Sequence, residues 1–274
     1  MSSKLVPSDP EKVMIIRDIV PRTVTTLSVP FFRFGRIKVG GRGTIVRLQS
    51  GALAVFSPVA LTEDVKRKVA EMGEVKYITA LDAEHHIFLG PWHTAYPNAQ
   101  VMGPESLPEK RASQSVEQVP FAHVFSKAKP VTTISPEFDA EFDWEYVPAH
   151  MNKEIAFLHR PTRTLIQADL MFNLPATEQF SRSGVDANSG ILTKIFVALQ
   201  STYGSATAQK RVVWWGTSAS DRSGFAKSVA RMDKWDFQRI VPCHGDVIES
   251  GAKDVFRKVF GWHLDLAQQE GKRA

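Results

Sequence analysis

The chain has 274 residues, of which 43% are hydrophobic and 23% charged, a composition that predicts a globular protein with a buried core and excludes a disordered or fibrous one. Its net charge of +5 is spread over scattered lysines and arginines, with no basic run interleaved with aromatic residues, so nucleic-acid binding is not expected. The single cysteine, Cys243, excludes an intrachain disulfide and a cysteine-based zinc site.

The length allows one large α/β domain or two small ones. The segment 1–17 lacks the apolar run of a secretory signal, and no segment approaches the ~20 apolar residues of a membrane-spanning helix. We therefore expect a cytoplasmic protein with no membrane contact.

The first predicted elements are short β-rich runs separated by proline or glycine. These runs predict antiparallel hairpins, at 24–29, 31–39, 44–48 and 52–56. The glycine-rich segment 40–43 is not followed by the Lys-Ser/Thr pair of a phosphate-binding loop, so it indicates a turn.

A helix is predicted next, because Thr62 is a capping residue and Gly73 is a helix terminator. The apolar positions between them repeat at helical spacing, at Val65, Val69 and Met72. A strand, a helix-like stretch and a further short strand follow, at 75–80, 85–96 and 99–102. This part of the chain therefore predicts alternating β and α elements.

The second half of the chain begins with the irregular segment 103–140. Further strands are predicted at 141–147, 155–158, 164–168 and 239–241. A polar loop is predicted at 175–190, and helices at 191–203, 221–234 and 251–268. We expect residues 1–274 to form a single domain with an insertion at about 175–220, whose apolar helix walls the functional site.

Side chains that bind metals follow four of the predicted strands. His85 and His86 form an adjacent pair, His150 and Asp169 follow later strands, and His244 lies in a Pro-Cys-His-Gly-Asp segment. Residues on loops held by a rigid sheet are where binding and catalytic sites are usually built. Histidine and carboxylate ligands without cysteine suit zinc, iron or manganese.

Each of these residues also has an interpretation without chemistry. His244 could make a buried hydrogen bond to the backbone, Asp169 could cap a turn, and Cys243 could be a packed small hydrophobic residue. The other histidines are expected at the surface or in structural roles, at positions 93, 123, 159 and 263.

The order of these segments resembles the metallo-β-lactamase fold superfamily, in its ribonuclease Z and hydroxyacylglutathione hydrolase-like branch. More closely, it resembles an uncharacterised family of divergent relatives. The matching motifs are His85-His86-Ile87-Phe88 with Trp92, the phrase 157–166, and Asp169 with Phe172-Asn173. The resemblance covers roughly residues 20–265. It implies a four-layer αββα sandwich, in which two mixed β-sheets pack face to face between helices.

The His-x-His-x-Asp-His loop of active superfamily members, which serves two metals, is altered here. Counted back from His86, the aspartate position holds His85, and the first two histidine positions hold Leu81 and Ala83. One metal site therefore keeps only His150 and is degenerate.

The resemblance implies that the other metal site keeps His86, Asp169 and His244, with His85 as a fourth ligand. The ligating atoms of His86, Asp169 and His244 should lie within about 3 to 5 Å of one another. One divalent ion is expected, zinc first, with iron or manganese as alternatives, or no metal at all.

Two functions remain open from the sequence. The first is a single-metal hydrolase that uses metal-activated water on a small-molecule ester, thioester or phosphoester, with His85, Asp169 and His244 as catalytic residues. The second is a relative that has lost hydrolysis and acts as a binding or regulatory module.

Overall fold

The computed structural model describes residues 5, 6, 8–114 and 116–273. Its strands, numbered in chain order, are β1 (Ile15–Val20), β2 (Val24–Val29), β3 (Phe32–Arg33), β4 (Ile37–Lys38), β5 (Gly41–Arg47), β6 (Ala52–Phe56), β7 (Glu74–Thr79), β8 (Gln100–Pro104), β9 (Phe121–Phe125), β10 (Phe142–Val147), β11 (Glu154–His159), β12 (Thr164–Gln167) and β13 (Arg239–Pro242).

The helices, also in chain order, are α1 (Pro10–Val13), α2 (Glu63–Met72), α3 (Leu89–Ala95), α4 (Leu107–Ser113), α5 (Pro136–Asp139), α6 (Thr177–Phe180), α7 (Ile191–Gln200), α8 (Thr207–Val212), α9 (Arg222–Met232) and α10 (Ala252–Gly271). A π-helical turn, Val213–Thr217, continues α8. Within the described ranges, no helix is long and apolar enough to cross a bilayer.

Two mixed sheets make up the centre of the molecule. The larger sheet has the order β1-β2-β5-β6-β7-β8-β9, antiparallel from β1 to β6 and parallel from β6 to β9. The smaller has the order β10-β11-β12-β13, in which only the last pair is parallel. The prediction of two mixed sheets is confirmed.

Apolar side chains divide the molecule into four layers. One buried cluster lies between the sheets, where Phe56 of β6 packs against Phe157 of β11 at a ring-centroid distance of 5.0 Å. A second cluster lies between the larger sheet and α2, α3 and α4, and a third between the smaller sheet and α9 and α10. Burial of both faces of each sheet explains why β2, β11 and β12 are buried along their whole length.

Helix α2 shows how local sequence sets an element. Thr62 Oγ1 accepts a hydrogen bond from the Val65 amide at 3.2 Å, and Gly73 ends the helix at φ +151°. Its apolar positions face the larger sheet, at Val65, Val69 and Met72. The predicted helix is confirmed.

Three local predictions are wrong. The run 31–39 is not one strand, because a turn with Phe34 and Gly35 at positive φ splits it into β3 and β4. The glycine-rich segment 40–43 is not a free turn, because β5 already begins at Gly41. The segment 85–96 is helical only from Leu89, because a turn held by the Asp82 side chain precedes the helix.

Candidate metal centre

Three predicted site residues converge where strands of both sheets end. His85 follows β7 of the larger sheet. In the smaller sheet, Asp169 follows β12 and His244 follows its parallel neighbour β13. His85 Nε2 lies 3.1 Å from His244 Nε2 and 4.0 Å from Asp169 Oδ1, and His244 Nε2 lies 3.3 Å from Asp169 Oδ1. These atoms form a cluster with the donor set of a metal site.

Each of the three side chains is oriented by a partner on its far side. His244 Nδ1 donates to the Gly40 carbonyl at 2.7 Å, because a carbonyl can only accept, and in the neutral imidazole this makes Nε2 the nitrogen with the lone pair. His85 Nδ1 donates to Asp82 Oδ1 at 2.8 Å. Asn152 Nδ2 donates to Asp169 Oδ2 at 2.7 Å, so that Oδ1 faces the two imidazoles. Such outer partners commonly fix the ligands of a metal.

The cluster leaves one buried acceptor without a donor. Asp169 Oδ1 has no hydrogen-bond partner among the described residues, and the His244 nitrogen that donates is Nδ1, toward the Gly40 carbonyl. Tetrahedral coordination at zinc bond lengths places neighbouring ligand atoms about 3.3 to 3.6 Å apart, close to the distances of 3.1, 3.3 and 4.0 Å seen here. The residues present therefore fit a single divalent ion.

The surroundings of the cluster favour a positive charge between the side chains of His85, Asp169 and His244. Burial alone would lower the pKa of His85, but the carboxylates of Asp82 and Asp169 raise it to about 10. Burial would raise the pKa of Asp169, but the charge of His85 above all holds it well below its usual range. A proton on His85 Nε2 would bridge to His244 Nε2, and a divalent ion held by the three side chains would take its place.

His86 does not join the cluster, contrary to the sequence prediction. Its imidazole is buried against Arg111, whose Nη1 lies 3.2 Å from His86 Nδ1 and donates to the His86 carbonyl at 2.9 Å. Burial and the charges of Lys110 and Arg111 lower the pKa of His86 to about 4.

The cause lies in the turn that carries the two histidines. Asp82 Oδ1 accepts from the amides of Glu84 and His85, both at 2.8 Å. This side-chain turn competes with a helix and delays α3 until Leu89. Because adjacent side chains diverge, the turn points His85 into the cluster and His86 away from it.

His150 is buried beside the cluster but does not face it. Its Nδ1 accepts from the Asn152 amide at 3.1 Å, and its Nε2 lies 3.3 Å from the Asp169 backbone carbonyl. Burial lowers its pKa. Since both ring nitrogens have backbone partners, His150 supports the Asp169 segment, and the prediction of His150 as a metal ligand finds no support in this geometry.

Other histidines lie outside the cluster, in structural positions. His159 contacts Glu141 and Thr162, and His263 contacts Ser218 at 2.9 Å. Burial raises the pKa of the Cys243 thiol, which matches a packed residue better than a nucleophile.

Two supporting residues were missed by the sequence analysis. Glu154, which is fully buried at the start of β11, accepts from the amides of Ala168 and Asp169 at 2.5 and 2.9 Å. Arg42 of β5 is buried, and its Nη1 donates to the carbonyls of Pro242 and Gly245 at 2.8 and 2.5 Å. The available signal was a charged residue at the start of an apolar strand, for Glu154, and within a glycine-rich segment, for Arg42.

Arg42 should stabilise the protein far more than the half-buried Arg17, which pairs with the same glutamate. Arg42→Met leaves two buried carbonyls without donors and removes the buried partner of Glu178, so we expect a loss of about 3 kcal/mol in the free energy of unfolding. Arg17→Met, which removes the half-buried Glu178 contact at 2.6 Å, should cost about 1 kcal/mol or less. Denaturant unfolding measures both, and equal losses would contradict this assignment.

The cluster opens into two cavities. The first, of about 280 Å³, has a mostly apolar lining and includes all three cluster residues. The second, of about 200 Å³, lies on the other side of Asp169 and includes Phe196 and Gln200 of α7. Helix α7 thus lines the smaller cavity and not the one that holds all three cluster residues. Asp169 and Arg33 line both cavities.

The architecture has close counterparts among solved structures. The chain matches the metallo-β-lactamase DIM-1 with a TM-score of 0.58 at 11% identity, over 92% of this chain and 97% of that one. It matches a metallo-β-lactamase from Pontibacter korlensis at 0.56 and 12%, over 91% and 98%. A variant of the flavo di-iron protein from Thermotoga maritima matches at 0.58 and 9%, over 91% and 62%.

At these identities the likeness establishes the fold, and this protein has the metallo-β-lactamase fold. A family model described as a domain of unknown function (DUF4336) matches residues 32–183, more than half of the chain, and the chain belongs to that family. No curated protein matches this chain. The resemblance to a divergent, uncharacterised family of this fold is confirmed.

Proposed function

We propose that the protein is a hydrolase that depends on one divalent metal ion, zinc in the first place, held by His85, Asp169 and His244. The observation that supports this most is the buried Asp169 Oδ1, which lacks a donor and faces two imidazole nitrogens at the floor of a cavity. Hydrolysis of a small molecule is the reaction that this arrangement serves best.

A bound divalent ion lowers the pKa of a water molecule toward neutrality and polarises the oxygen of an ester. Neighbouring residues of the chain orient the three side chains that would hold the ion. Asp82 and the Gly40 carbonyl fix the two imidazoles, and Asn152 turns Asp169 Oδ1 toward the cavity. Oδ1 would thereby be available to hold the ion, and the apolar lining of the cavity would exclude bulk solvent from the reacting position.

Asp169→Asn tests the proposal, because it removes the charge with little change in volume. Wild-type protein purified without chelator should carry about one divalent ion per chain and hydrolyse an ester, thioester or phosphodiester probe in a chelator-sensitive way. Asp169→Asn should lose both properties. Asp143→Asn, which alters a surface ion pair with Arg160, should keep both. Elemental analysis and turnover are the readouts, with a thermal melt to show folding.

Folded protein that takes up no ion from excess zinc would overturn the proposal. One ion per chain without turnover on any probe would also count against hydrolysis. It would favour the alternative, a binding or regulatory module, for which the altered Leu81 and Ala83 positions give the sequence argument.

A further inference from the structure

The larger cavity over the cluster has a distinctive chemical lining. Apart from His85, Asp169 and His244, most of its surface is apolar and comes from separate parts of the chain: Val29, Phe31, Pro58, Val59, Ile87 and Phe88. The charged side chains in its wall, beyond the cluster, are Arg33, Arg42 and Glu84.

Two of these three charges are already neutralised. Arg42 is buried and bonded to carbonyls and Glu178, and Glu84 pairs with Lys110 at 2.6 Å. Arg33 has no carboxylate partner among the residues that the structure describes, and its guanidinium lies 5.3 Å from the centre of the Phe34 ring. One arginine in an apolar wall is a poor match for a phosphoryl group, which usually binds several charged donors.

We infer, building on the proposed function, that the substrate is a carboxylic ester or thioester with an apolar acyl part, which binds in the larger cavity. The smaller cavity, with the polar groups of Asn152, Gln200 and Thr217, receives the alcohol or thiol part. Arg33 and Asp169 border both cavities, so the scissile bond lies beside Asp169, and Arg33 positions the carbonyl by donating a hydrogen bond.

The reaction is a hydrolysis that balances without a further reactant. The oxygen of water forms a bond to the acyl carbon, and the C–O or C–S bond breaks. The products are the carboxylate, a proton, and the alcohol or thiol.

The test is a series of p-nitrophenyl esters from acetate to hexanoate, with the matching thioesters and bis-p-nitrophenyl phosphate. Burial of each added methylene should raise kcat/KM by about fourfold, which corresponds to about 0.8 kcal/mol. Ile87→Trp narrows the larger cavity and should abolish this gain across the series. Ile195→Trp, the same change on the exposed face of α7, should behave as wild type.

Arg33→Met should lower kcat/KM at least about tenfold on every ester, because one charge-assisted hydrogen bond is lost. Retained activity would remove Arg33 from its assigned role. Equal rates on acetate and hexanoate esters, or a preference for the phosphodiester, would overturn the substrate class while leaving the metal-dependent hydrolase intact.

Binding of the product carboxylates to zinc-loaded protein, measured by calorimetry, is the second readout. Hexanoate should bind more tightly than acetate in the wild type and Ile195→Trp, but not in Ile87→Trp. If no ester is turned over, this preference would uphold the apolar cavity while the hydrolase proposal fails. Its absence would overturn the cavity assignment as well.

Discussion

Replacing His85 by alanine is expected to lower the affinity for zinc by more than about 100-fold, whereas replacing the adjacent His86 should leave it nearly unchanged. His85 Nε2 faces Asp169 and His244, while His86 is held by Arg111 on the other side of the turn. Because a three-ligand site cannot easily lose one ligand, the first change removes the site. Competition with a chromophoric chelator measures both affinities.

His86→Ala carries its own structural cost, since Arg111 loses a buried acceptor. We expect about 1 to 3 kcal/mol of lost stability, so affinities should be compared at a temperature where both variants are folded. Equal loss of zinc from the two variants would mean that the turn points both histidines at the ion, and loss only from His86→Ala would overturn the ligand set.

Gly245→Ala is expected to cost about 4 kcal/mol or more in the free energy of unfolding and to remove ion binding. Gly245 follows His244 at φ +88°, and an added Cβ would overlap the backbone carbonyl of Asn173. The strain cannot be relieved by a rotamer change, because Asn173 is tied to this loop by the bonds Asn173 N to His244 O and Asp246 N to Asn173 O.

Gly184→Ala is the matched control. Gly184 also has a positive φ, +70°, but its Cβ position is open. Only the conformational cost applies there, about 1 to 2 kcal/mol. Denaturant unfolding distinguishes the two, and similar losses would show that the close approach to Asn173 is unimportant.

Local patterns predicted many of the helices and strands, whereas the four layers were implied by the resemblance to the superfamily. Helix α2 followed from a cap, a periodicity and a terminating glycine, and the strand ends carried the metal-binding residue types that resemble the superfamily. Strand β9 was missed within the irregular segment because its parallel pairing with β8 is a non-local contact. A run of only five residues carries too little local signal.

The choice between His85 and His86 could not be made from the sequence. It depends on which imidazole the Asp82 carboxylate captures, and on Arg111, which comes from a helix 25 positions later. Arg42 was hidden for a similar reason. A glycine-rich segment is typical of a turn. Only the packing of the smaller sheet against the larger one shows that Arg42 connects them, through its hydrogen bond to the Pro242 carbonyl.

The cluster is divided between the two sheets. His85 and the Gly40 carbonyl that orients His244 come from the half of the chain that builds the larger sheet, while Asp169 and His244 come from the half that builds the smaller one. A gene cut between β9 and β10 would therefore encode two pieces, each lacking part of the ligand set. Ion uptake on mixing the two pieces would report their reassembly. The scaffold could therefore serve as a split protein whose complementation is detected by metal binding.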